Sequence, residues 1–182
     1  MEITFTRSGE RTYSSVAVRD DKVRVWVPGY DHPDWLPHDL IHFVIENSLG
    51  LQYGFWGRVA AGAVFSGMKI LEGRQLPHAA ERSYTAVREQ PRTGTQSEVL
   101  VGLMAGVAQM GIENDWPRVQ KMLRQAWVDD HSEYSQISQG EVKRVCAELR
   151  IMEQRWQNLP VGEDLTVTWH SPKLAKAGGR KR

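Results

Sequence analysis

Residues 37–47 read Pro-His-Asp-Leu-Ile-His-Phe-Val-Ile-Glu-Asn and place His38, His42 and Glu46 at successive i, i+4 spacings. On an α-helix such residues stack along one stripe, each about 40° round from the last. Two imidazoles and a carboxylate on one stripe are a ligand set for a divalent metal, with zinc the first expectation. Catalytic zinc sites use three protein ligands and keep a further position for water or substrate. His38 and His42 supply two. Three ligands on one straight helix span about 12 Å from first to last Cα. Glu46 is therefore expected either as a third ligand reached with some strain or as the carboxylate that orients His42. Asp39, beside the first histidine, is the candidate proton shuttle. Arg58 is the lone charge in a segment of small residues, and it would either anchor an anionic substrate group or pair with Glu46 or Asp39.

The expected reaction is hydrolytic or lyase-like, through a metal-bound water or a metal-polarised carbonyl of a small-molecule substrate. The pattern resembles the His-Glu-x-x-His of zinc metalloproteases, with Asp39 in the place of the glutamate base. It also resembles the His-Asp-x-x-His of the ubiquinone-biosynthesis scaffold or decarboxylase family. That resemblance implies a third carboxylate ligand after eleven further residues, on the next helix, where this chain has Gly54. The His-Asp doublet is similar, too, to that of HD-type metal phosphohydrolases. Such a set would draw on His32 and on Asp129 or Asp130, at a different spacing.

A different class of function fits the same residues. Leu40, Ile41, Val44, Ile45 and Leu49 give this helix a wide apolar face, and His38, Asp39, His42 and Glu46 fill much of the remaining arc. They could form a solvated sector or a structural polar network. The protein would then be a non-catalytic interaction module. Against a solvated sector, the helix carries no Lys or Arg.

Composition bounds the rest. A chain of 182 residues, 41% apolar and 25% charged, suits one globular domain that needs no metal merely to fold. The only cysteine, Cys146, excludes an intramolecular disulfide and suits a reducing cytoplasm. The first residues lack the basic and apolar regions of a secretory signal, and no apolar run reaches membrane-spanning length. Residues 171–182 hold five basic side chains and no acid, leaving 18 basic against 22 acidic residues in the body. This tail is expected to be a solvated terminus, and without a groove-reading motif nucleic acid is not an expected partner. Gly- and Ala-rich apolar helices make a homo-oligomer an expectation.

The elements that must position the motif follow from periodicity. Ile3 and Phe5 alternate with Thr4 and Thr6; Val16 and Val18 share one face of a second strand; Val23, Val25 and Val27 alternate in a third. These predict a three-stranded antiparallel meander. Pro37 opens the motif helix and Gly50 caps it. A second helix is predicted from Tyr53 or Gly54, running through Ala60, Ala61, Gly62 and Ala63. Residues 72–94 read as an irregular lid or loop, with one short helix over 78–88 and His78 as a further site candidate. Thr95-Gln-Ser-Glu98 reads as a capping box opening a buried helix to Met110. A helix over 114–130 and a second capping box, Ser138 to Glu141, opening a helix to Asn158, come next. Alternation over 164–170 predicts a last strand returning to the meander. The fold class is α+β, a small antiparallel sheet packed against four to five helices, over residues 1–170 as one domain. Of the seven tryptophans most, Trp26 and Trp56 included, are expected in the core, with Trp35 and Trp56 flanking the motif.

Overall fold

A computed structural model describes residues 1–30, 35–74, 91–126 and 137–170, and for 91–96 the backbone alone. The expected tail, the short helix over 78–88, His32, His78, Asp129 and Asp130 lie outside the described residues. Strands β1 (Glu2–Arg7), β2 (Tyr13–Val18) and β3 (Arg24–Pro28) form the meander. Helices α1 (His38–Leu49) and α2 (Phe55–Ala60) follow, then strand β4 (Lys69–Glu72). Helices α3 (Pro91–Met110), α4 (Trp116–Ala126) and α5 (Gln139–Gln157) lead to β5 (Asp164–Thr168). The sheet is antiparallel throughout, in the order β4-β3-β2-β1-β5, so the last strand does return to the meander, beside β1.

One face of the sheet is dry. Ile3, Phe5, Tyr13, Ala17, Val23, Val25, Val27, Leu165 and Val167 are buried beneath the helices. In β2 this is the face opposite Val16 and Val18, and Trp26 lies on the outer face, where Lys69 sits 5.4 Å over its ring. Alternation marks two faces but does not say which is covered. On the helical side, α5 carries the stripe Val142, Val145, Cys146, Leu149, Met152 and Trp156. Its Ser138–Glu141 capping box forms as predicted, each partner satisfying a free backbone N–H of the first turn. Cys146 is buried, and burial pushes its thiol up to about 11, which leaves it an inert protonated core group.

Three local expectations change. Helix α2 stops at Ala60, and Gly62 at φ 111° turns the chain out of the helix toward β4, an edge strand absent from the sequence reading. Helix α3 starts at Pro91, so Thr95 lies inside it and not at its N-terminus. Nor is α3 buried all round. Leu100, Met104 and Val107 are covered, while Val99 and Met110 are 40% and 48% exposed. Among the described residues no helix is long and apolar enough to cross a membrane.

Candidate metal centre

Helix α1 enters the core almost whole. Pro37 precedes it with extended backbone, and Gly50 closes it in the left-handed conformation, φ 69°, donating its N–H to the Glu46 carbonyl. Leu40, Phe43, Val44 and Ile45 are buried, and so are Asp39, His42 and Glu46. The solvated-sector reading of the stripe therefore fails: only His38 on it stays exposed. Burying three ionisable side chains on one helix is costly unless each finds partners.

Glu46 finds the most. It is fully buried, and its carboxylate accepts the backbone N–H groups of Phe55 at 2.7 Å and Trp56 at 2.9 Å. It thereby satisfies the first turn of α2, whose preceding residue, Gly54, offers no capping side chain. A Cβ at Gly54 would overlap that carboxylate, so the residue before α2 must be glycine for Glu46 to reach. The Ser97 hydroxyl, on α3, approaches the same carboxylate at 3.5 Å. With both oxygens accepting backbone N–H groups, Glu46 accepts from His42 Nδ1 at 2.8 Å. That bond fixes the tautomer: Nδ1 carries the proton and Nε2 presents its lone pair.

His42 Nε2 lies 3.1 Å from His38 Nε2 and 3.2 Å from Glu98 Oε2, and the third edge, His38 Nε2 to Glu98 Oε2, is 3.8 Å. His38, His42 and Glu98 are thus close enough to hold a metal ion. The point equidistant from the three atoms lies about 2.0 Å from each, inside the range of about 2.0–2.2 Å for zinc bonded to imidazole nitrogen or carboxylate oxygen. The His38 and Glu98 side chains are 61% and 57% exposed and that of His42 is 2%. The triangle is anchored on its inner corner and open to solvent on the other two.

The sequence-predicted residues separate accordingly. His38 and His42 come together as expected. Glu46 sits at the Nδ1 edge of the His42 ring, one helical turn too far along α1 to share its Nε2 edge. The carboxylate that does reach Nε2 is Glu98, 56 residues away on α3. Its signal in the sequence was faint: the last charge before an uncharged run from Val99 to Ile112. Asp39 is buried behind the histidines, with Oδ2 unpartnered among the described residues. Burial pushes its carboxyl up, against the Tyr13 hydroxyl and the histidine charges. Its carbonyl accepts Trp56 Nε1 at 2.7 Å. Arg58 is half-buried on α2 and is not a member of the ligand group.

In the metal-free protein the same contacts hold a proton. Burial alone would lower the His42 pKa, but hydrogen bonds donated to Glu46 and Glu98, with the charges of those carboxylates, raise it to about 9. The neighbouring histidines hold the Glu98 carboxyl well below the usual carboxylate range. A histidine pKa raised on folding adds stability that is complete below the unfolded value near 6.5 and is lost as pH climbs through about 9. Metal-free protein is expected to lose on the order of 3 kcal/mol between pH 6.5 and 9.5. Thermal melts in chelator across that range, with His42→Gln as the control lacking this slope, check it. Equal slopes for both proteins would count against the assignment.

Comparison of the chain with protein families, with curated proteins and with solved structures finds no match in any of the three. The reading of the site rests on its own chemistry.

Proposed function

We propose that this protein is a divalent-metal enzyme of hydrolase or lyase type, with zinc held by His38, His42 and Glu98. One observation carries the reading: two imidazole nitrogens and a carboxylate oxygen converge on a point at bonding distance from all three, and two of the three side chains are exposed. Among the described residues the group offers two nitrogens and one oxygen, the ligand count of catalytic zinc, whereas structural zinc closes its shell with four protein ligands. An ion there would lower the pKa of a bound water or polarise a substrate carbonyl. Glu46 serves as the carboxylate behind His42, raising its basicity and fixing its ring. The burial of Asp39 suits a charge acting from behind the histidines better than a proton shuttle in contact with bulk water. Arg58 is assigned to a substrate anion.

The test is elemental analysis of tag-free protein purified without chelator, beside a His38→Ala/His42→Ala double mutant. Near-stoichiometric zinc in the parent and none in the folded mutant is expected. The zinc-loaded parent should then hydrolyse or cleave a member of a panel of esters, amides, phosphoesters and carboxylated small molecules. In that assay Arg58→Gln should raise KM and leave kcat nearly unchanged, and Asp39→Asn should lower kcat. A parent that takes up no zinc, even after reconstitution, would sink the proposal.

A further inference from the structure

We infer that the bound ion is a clasp, fixing the first two turns of α3 against α1 so that metal occupancy sets the order of that part of the helix. The inference rests on the metal site proposed above and goes beyond it, because it assigns the ion a conformational task independent of any substrate.

Three observations support it. The ligands divide unequally between two helices: His38 and His42 lie one turn apart on α1, and Glu98 alone comes from α3. A tether between residues 56 positions apart restrains the α3 end and leaves the buried α1 end almost as it was. Next, the described core side chains of α3 begin at Ser97 and continue through Leu100, Val101, Met104, Val107 and Ala108. Glu98 lies among the first of these covered positions, on the side of α3 that meets His42. Finally, the turns before it read Pro-Arg-Thr-Gly-Thr-Gln. Apart from proline, which suits a first turn, this segment holds a glycine and two threonines, all weaker helix formers than alanine. A helical end with such a sequence depends on a fixed point beyond it. Without metal, the polar anchors at this end are the Ser97 hydroxyl, 3.5 Å from the Glu46 carboxylate, and one exposed carboxylate, Glu98, 3.2 Å from His42 Nε2.

Hydrogen exchange read by mass spectrometry on the full-length protein, with and without zinc, tests the clasp, with zinc binding measured by calorimetry on the same samples. Zinc is expected to slow exchange about tenfold or more over residues 91–99 and to leave α5 and β5 unchanged. Glu98→Ala should lose that protection even at zinc concentrations where His38 and His42 still hold the ion. Stoichiometric zinc with unchanged exchange over 91–99 would overturn the clasp and leave the metal site standing. Protection spread evenly over α5 and β5 would overturn it as well, since that is global stabilisation by a ligand. Absence of zinc binding would overturn both readings.

Discussion

Replacing Glu46 by alanine is expected to destabilise the protein by about 3–5 kcal/mol and to weaken zinc binding by about 10- to 100-fold. Glu46 is fully buried, and its two oxygens satisfy the N–H groups of Phe55 and Trp56 together with His42 Nδ1. Its removal leaves one buried and one part-buried backbone donor and an imidazole N–H without that partner, each at a cost of about 1–3 kcal/mol. It also frees the His42 ring to turn, so the Nε2 lone pair is no longer aimed at the ion. Gly54→Ala should act in the same direction by pushing the carboxylate aside, at roughly 1–3 kcal/mol. Urea unfolding in chelator and zinc titration by calorimetry separate the two effects. If Glu46→Ala unfolds at the parental midpoint, the buried network has been misjudged.

The second large effect is expected at Glu98, with the opposite division. Its side chain is 57% exposed, so Glu98→Ala should change the stability of the metal-free protein by only about 1 kcal/mol or less. Zinc affinity, in contrast, should fall on the order of 100- to 1000-fold, because one of the three proposed protein ligands is gone. His38→Ala, the other exposed ligand, should follow the same pattern. A metal-specific loss in Glu98→Ala beside a combined loss in Glu46→Ala would distinguish the carboxylate that binds from the carboxylate that orients. Equal zinc affinity in Glu98→Ala and the parent would mean that Glu98 is no ligand.

The sequence by itself determined a good deal of this protein. Valine and threonine alternation specified the three N-terminal strands and the last one, because period two belongs to a sheet with one covered face. Ser138 with Glu141 specified where α5 begins, since that pair answers a need of every helix start. The i, i+4 spacing specified that His38 and His42 meet, as adjacent turns of one helix must. All of these are local, settled within a few residues of chain.

Tertiary structure decided what spans distance. Whether Val16 or Ala17 faces the core depends on which side of the sheet the helices cover, and alternation is symmetric in that choice. Strand β4 exists through its pairing with β3, with four exposed residues and no covered face of its own to write a pattern. Whether Glu46 or Glu98 meets His42 Nε2 depends on how α3 crosses α1. Spacing along α1 put Glu46 near His42 but could not say at which ring nitrogen. Nothing local to Glu98 records that another helix brings two histidines to its carboxylate, because helix packing is fixed by the buried side chains elsewhere on both helices.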